Sequence, residues 1–402
     1  MYVCPPLPLD RFQALSSLNT IKMSCMDHVF SPVEGGDHAE FQVPVEVIEM
    51  DECRVSGKEL TQVLSYFPKL SKLSISCCEK IAWIGVVALG TTTTTTSLSR
   101  CSSCNGEKGE QTVKHREGQD VIEEEETTIS AEGLLLLPPQ IQEMRIGRYF
   151  ESLSCVLLSD DKEATAGGLQ GLHSLRSLHI LRCPKLLSSY SSSSSTTCFP
   201  FPNSLQSLRF VGVQDIKTLL PLTNLNSLTE LEIGECEDLI GVGLWHLLAQ
   251  GHLTKLSVKE TPKFFLGSDP PQELPSHPLQ ELRTDDVAGF LDPPICALLS
   301  SSIIKLVISS DKDIERFTKE QEEALWLLTS LRELEFWECK RLQCLPSGLH
   351  KLPNLKKLLV NGCGAILSPP KEGLPSSVEV WGISRGGALR PRRRGYFHSL
   401  QK

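Results

Sequence analysis

The sequence predicts an α/β solenoid, a stack of coils each made of one short strand and a return segment, on three observations. The first is a change of spacing within a single short unit. In LTSLRELEFWECKRLQCLPSGL, Leu328 to Leu349, the apolar residues Leu328, Leu331 and Leu334 fall three apart, whereas Leu334 and Phe336 fall two apart. Two is the period of a strand, with Leu334 and Phe336 on one face and Glu333, Glu335 and Trp337 on the other. The second is recurrence of that frame along most of the chain. The third is its nearly constant step, because one such unit cannot bury its apolar face alone and needs copies stacked on either side.

The frame LxxLxΦxxC, with Φ apolar, appears as SLRSLHILRC around Leu178, SLQSLRFVGV around Leu208, SLTELEIGEC around Leu231 and NLKKLLVNGC around Leu358. Looser copies centre on Leu256, Leu282 and Leu306, and Thr284 stands where the Leu282 copy should have an apolar strand residue. From Leu178 to Leu358 the steps are 30, 23, 25, 26, 24, 28 and 24 residues. Upstream the frame recurs at Leu73, Ile48 and Ile21, with degraded copies at Met144 and Val378, about thirteen coils in all. The period fits a leucine-rich-repeat horseshoe with a concave parallel β-sheet. About a dozen residues remain for most return segments, too few for a crossover helix, so the convex side should be mostly irregular or 3₁₀. Helix-like spacing is confined to Lys58 to Tyr66, Gly243 to Gln250 before Gly251, and Glu320 to Leu328.

Four regions follow. Residues 1–90 hold N-terminal repeats with an incomplete cap, and 133–384 hold the main array. Residues 91–132 are a biased insertion carrying six consecutive threonines and the acid run Glu123 to Glu126. Its stretch from Thr91 to Thr128 has too little apolar surface to offset ordering entropy and is expected to be disordered. A smaller insertion, Ser188 to Ser195, lengthens one coil; both should leave from the return side, where they do not interrupt strands. Residues 385–402 form a tail whose Arg390, Arg392, Arg393 and Arg394 read as a solvated basic run.

A net charge of −9, with no basic face in the repeats, argues against nucleic acid as the main partner. Prolines interrupt the N-terminal segment where a secretory signal needs an apolar core, and the longest apolar run, Ile81 to Leu89, is too short to span a bilayer. None of the seven asparagines lies in an N-x-S/T sequon. Fifteen cysteines suggest a disulfide framework until their positions are compared. Cys53, Cys78, Cys183, Cys236, Cys339 and Cys363 each lie five residues after the marker of their own coil, the pattern of a small buried residue in a repeated slot. A reduced, intracellular protein is expected, cytoplasmic or nucleo-cytoplasmic.

No phosphate loop, HExxH helix or GxSxG elbow occurs, so catalysis has no motif, and no cofactor is expected. Cys101 and Cys104 have the spacing of half a zinc site, but only His115 and scattered cysteines are near, and no metal is assigned. What remains is the face lined by the strand residues that alternate with buried leucines. The candidates for protein binding there are Glu230, Glu232, Glu235, Lys255, Lys259, Arg283, Glu333, Glu335, Trp337, Glu338 and Lys357, with Arg145 and Arg148 adding positive charge. An exposed indole flanked by charge is a common interface anchor, which singles out Trp337; packing onto a neighbouring coil is its equal alternative.

The phrase LRELEFWECKRLQCLPSGLHKLPNLKKLLVNGC, together with SLRSLHILRCPKLL and LPSSVEVWGI, resembles the C-terminal repeats of plant intracellular nucleotide-binding leucine-rich-repeat (NB-LRR) disease-resistance proteins. The resemblance covers about nine tenths of the chain. Cys occupies the slot where extracellular plant receptors carry Asn, and their GxIP phrase is missing. It implies a part in plant innate immunity, sensing a pathogen effector or an altered host protein and holding a nucleotide-binding domain inactive, in cis or in trans. That domain is not in the sequence, so the nucleotide switch is not carried over, and a fragment or a truncated family member is expected. Two other readings stay open: the substrate-recognition part of an F-box ubiquitin ligase, although no F-box segment precedes the repeats, and a nonfunctional relic of a resistance gene.

Overall fold

A computed structural model describes residues 7–8, 15–26, 30–31, 43–86, 131–147, 150, 153–155, 168–188, 199–266, 271, 279–366 and 373–384. The loop expected from Thr91 to Thr128, the Cys101/Cys104 pair with His115, Ser189 to Ser195, Arg148 and the basic tail lie outside these residues.

Thirteen strands form one sheet: β2 (Thr20–Ser24), β4 (Val47–Asp51), β5 (Lys72–Ser76), β8 (Glu143–Gly147), β10 (Ser177–Leu181), β11 (Ser207–Val211), β12 (Glu230–Gly234), β13 (Lys255–Lys259), β14 (Glu281–Thr284), β15 (Lys305–Ser309), β16 (Glu333–Trp337), β17 (Lys357–Asn361) and β18 (Val380–Ser384). Each is parallel to the next, and the expected marker residues pair from Ile21 with Ile48 through Leu334 with Leu358. The last coil is a correction. Leu358 pairs with Trp381, so the marker there is Trp381, and Val378 holds the leucine position just before the strand. Because β5 lies directly beside β8, the sheet runs unbroken across the 91–132 insertion. The two-residue strands β1 (Leu7–Pro8) and β3 (Phe30–Ser31) pair apart from it.

Each coil uses four positions in a fixed order. The marker and the residue two later point inward; Leu178, Ile180, Leu334 and Phe336 have no exposed surface. Four residues after the marker comes a left-handed residue, with φ between 49° and 69° at Cys25, Glu52, Cys77, Arg182, Gly212, Glu235, Glu260, Ser310, Glu338 and Gly362. For a residue with Cβ this conformation costs about 1–2 kcal/mol. A hydrogen bond offsets it: the left-handed N–H donates to the last strand carbonyl of the next coil, as from Glu52 to Ser76 at 3.0 Å and from Glu338 to Asn361 at 2.7 Å. Where β14 is one residue shorter, Asp285 Oδ2 accepts from Glu260 N instead, at 2.7 Å.

The fifth position is the cysteine slot. All six of its thiols donate to the carbonyl two residues back, at 3.1–3.6 Å, so cysteine serves there as a small buried residue with one weak donor. The eleven described cysteines all carry free thiols. In two coils oxygen takes over the slot. Thr261 Oγ1 accepts from Cys236 N at 3.4 Å, and buried Asp311 accepts from the backbone N–H groups of Val287, Asp313 and Ile314 at 2.9–3.1 Å. Thr284, out of place by pattern, is fully buried and accepts from Asp286 N at 3.0 Å.

The return side carries the expected helices at Gly57–Leu64, Leu244–Ala249 and Lys319–Trp326 and 3₁₀ turns at Ala131–Gly133, Gly168–Gly171, Leu220–Leu222 and Leu349–Lys351. Ser56 caps the first helix by accepting from Glu59 N, and Thr318 and Gln321 form a reciprocal capping box on the third. Gly57 lets the first helix lie against the next segment, since a Cβ there would stand 2.5 Å from the Leu134 backbone. Val287–Phe290 and Pro293–Leu298 are helices that the spacing did not reveal. A second, three-stranded sheet, β6 (Trp83–Val86), β7 (Leu134–Leu137) and β9 (Ser154–Cys155), also lies on the return side, with Leu136 N donating to the helix residue Thr61. Val86 and Ala131, the described residues on either side of 87–130, thus both belong to return-side elements.

Candidate protein-binding face

Alternation along each strand leaves three rows of side chains on the open face of the sheet, at one residue before, one after and three after the marker. The first row alternates in charge over six coils: Glu230, Lys255, Glu281, Lys305, Glu333, Lys357. Lys255 pairs with Glu230, Lys305 with Glu281 at 3.2 Å and Lys357 with Glu333 at 3.0 Å, so this row neutralises itself. Such half-exposed pairs add about 0–1 kcal/mol each and mainly fix side-chain positions.

The middle row reads Arg145, His179, Arg209, Glu232, Ser257, Arg283, Val307, Glu335, Leu359 from β8 to β17. The five from His179 to Arg283, with Lys259 from the third row and Glu230, Lys255 and Glu281 from the first, line an open depression of about 370 Å³. Arg145 Nη2 lies 3.4 Å from His179 Nδ1, and Arg209 Nη1 lies 3.5 Å from Glu232 Oε2. Arg283 Nε donates to Ser309 Oγ at 3.3 Å. Among the described residues Arg145, Lys259 and Arg283 have no carboxylate partner, and Arg209 Nε and Ser257 Oγ are buried without a hydrogen-bond partner. Burial, with the charges of Arg283 and Arg209, pushes the Lys259 ammonium below its ordinary pKa. Burial, with Arg145 and Arg209, lowers His179 as well.

Further along, Glu335 departs from expectation. It lies on this face but is only 5% exposed, with Lys357 at 2.7 Å, Lys305 at 3.9 Å and Trp337 Nε1 donating to its Oε2 at 2.9 Å. Burial alone would raise its pKa; the hydrogen bonds from Lys357 and Trp337 and the charges of both lysines outweigh that and lower it. Trp337 is half-buried, its indole fastened to Glu335 and flanked in register by Ser309 and Asn361. Half-buried Leu359 and exposed Val380 add apolar surface elsewhere on the same face.

The structure thus sets Glu230, Lys255, Glu333 and Lys357 in the charge ladder, and Glu232, Lys259 and Arg283 at the depression. Glu235 and Glu338 are not on the strand face: each is the left-handed residue of the turn that follows. Sequence reading passed over Arg209, His179, Ser257, Lys305 and Leu359. Their signal is positional, since the alternation of Glu and Lys emerges only when the looser copies are aligned by marker. Among the described residues no group of three or more His, Cys, Asp or Glu could hold a metal, and no helix is long and apolar enough to cross a membrane.

No protein-family model and no curated protein matches the chain. Among solved structures it is similar to the leucine-rich repeat domain of the type III effector XopL, at 13% identity and a TM-score of 0.28, covering 94% of this chain and 79% of that one. It is similar also to a leucine-rich repeat protein of Leptospira interrogans, at 13% identity and a TM-score of 0.32, covering 94% and 89%. The register of its own strands describes the fold: thirteen parallel coils with an inward apolar frame, ten of them followed by a left-handed turn residue, make this a leucine-rich-repeat domain.

Proposed function

We propose that this domain is a non-catalytic protein-binding and regulatory module of plant innate immunity, the sensing part of an NB-LRR receptor. In this reading it acts in the cytoplasm, meets a pathogen effector or an altered host protein, and restrains a nucleotide-binding domain in cis or in trans. The observation that carries the binding role is the open face itself. Three rows of charged, polar and aromatic side chains run across adjacent strands, held in place by ion pairs and by the Trp337–Glu335 hydrogen bond. Side chains fixed before a partner arrives lose less entropy on binding. The immune assignment is supported by the resemblance of the repeat phrases and by the cysteine slot, and the cytoplasmic one by the free thiols of the described coils.

Co-expression tests the assignment. The chain should co-purify with the nucleotide-binding domain of a plant intracellular receptor supplied in trans, and charge reversal on the open face should weaken that capture. Co-purification with a ubiquitin-ligase adaptor, and not with the nucleotide-binding domain, would overturn it.

A further inference from the structure

The open face divides into two electrostatic regimes. From Glu230 to Lys357 in the first row each lysine has its own glutamate. Beside it, the depression from β10 to β14 sets Arg209, Lys259 and Arg283 against Glu232 of the middle row, while its other carboxylates, Glu230 and Glu281, are held by Lys255 and Lys305. In a chain of net charge −9 this is a local reversal of sign. It occurs in a depression, where converging charges act together on whatever enters. With Glu232 on Arg209, Lys259 and Arg283 stand near each other without a carboxylate partner among the described residues, and an arriving anion relieves their repulsion.

We infer that the depression between β10 and β14 binds an acidic peptide segment of a protein partner, with carboxylates on Arg209 and on the Arg283/Lys259 pair. This rests on the protein-binding reading above and names the chemistry of its partner. Spacing selects a peptide. Arg209 and Arg283 stand three strands apart, about 14 Å at 4.7–4.9 Å per strand. An extended peptide crossing the strands advances about 3.3 Å per residue, so side chains at i and i+4 project to the same side about 13 Å apart. Between them stand Glu232 and Ser257, which set an uncharged residue at i+2. A compact polyanion would place its charge against Glu232, whereas separated carboxylates straddle it. Arginine suits the role because its planar fork accommodates a carboxylate with two parallel hydrogen bonds.

The probe is a fluorescein-labelled fourteen-residue peptide with glutamates every fourth position and Ser, Thr and Gly elsewhere, titrated into the full chain at low salt. Binding should be measurable by anisotropy, weaken as salt rises, and fall at least tenfold when the glutamates become glutamines. The double variant Lys259→Glu/Arg283→Glu should lose at least tenfold, while Lys22→Glu on β2 should not. Lys259→Gln/Arg283→Gln gives the same readout if the reversal variant fails to fold by circular dichroism. Several results would overturn the inference: no binding by the glutamate peptide at low salt, equal binding by the glutamine peptide, equal binding by the double variants, or binding of inositol hexakisphosphate without the peptide. Any of these removes the acidic partner alone. The protein-binding reading fails separately, if open-face charge reversals leave capture of the nucleotide-binding domain unchanged.

Discussion

Arg182 and Glu235 meet across Gly212. Each is the left-handed residue of its own turn, two coils apart, and the glycine holds the same position in the coil between them. Arg182 Nε and Nη2 donate to the two Glu235 carboxylate oxygens at 3.1 and 3.0 Å. The side chain passes over Gly212 so closely that a Cβ there would lie 3.1 Å from Arg182 Cγ.

Gly212→Ala should therefore be destabilising on two counts, a left-handed backbone costing about 1 kcal/mol and displacement of Arg182. In an Arg182→Ala background the second part should vanish. Urea unfolding of the two singles and the double separates them, and equal losses in both backgrounds would show that Arg182 does not cross the glycine. Arg182→Ala alone should cost under about 1 kcal/mol, because the pair is half-exposed.

Leu334 and Leu359 test which side of the sheet is the core. Leu334→Ala removes a fully buried marker and should cost about 2–5 kcal/mol. Leu359→Ala, on the open face, should cost about 1 kcal/mol. Equal thermal shifts for the two would contradict the inside–outside assignment.

Glu335 makes stability depend on acid. Its pKa in the folded chain is lowered from the ordinary 4.5, so its contribution is present above that value and is lost as pH falls through the lower folded one. Glu335→Gln should flatten that part of the stability profile below pH about 4.5 while lowering stability at neutral pH. A variant whose acid limb matches the wild type would show that the two lysines do not hold this carboxylate.

Burial of the thiols predicts a labelling order. Burial pushes the thiols of Cys155, Cys183 and Cys296 up to about 12, whereas Cys344 is exposed. Iodoacetamide mapping by mass spectrometry on the native chain should find Cys344 modified before Cys155, Cys183 and Cys296, which react only on unfolding. Modification of Cys183 as fast as Cys344 would contradict its burial.

The strands, their parallel order and the cysteine slot were legible in the sequence because inward leucines repeat at a spacing that no other part of the coil imitates. Trp381 was harder to place, since the last coil exchanges leucine for tryptophan and valine, and Val378 resembles a marker more than Trp381 does. The short helices after β14 escaped because two prolines open one of them and only four residues make the other. Thr284 and Asp311 break the apolar pattern without breaking the fold, as their oxygens accept backbone N–H groups that cannot be counted from sequence. The site was half legible. Charge on the strand face shows at once, but Glu335's burial and the unmatched cations depend on which coils are neighbours, and Glu235 and Glu338 sit one residue beyond the strands.

The most direct test of the stacked, in-register sheet is a ladder of electron-spin distances measured from a label at position 255. With second labels at 305, 333 and 357, each on the first row of the open face, the separations should grow in order through about 10, 14 and 19 Å, plus a constant label offset, at one strand spacing per coil. Distances that fail to increase with coil number, or that place 357 nearer to 255 than 305 is, would contradict the solenoid and the open face built on it.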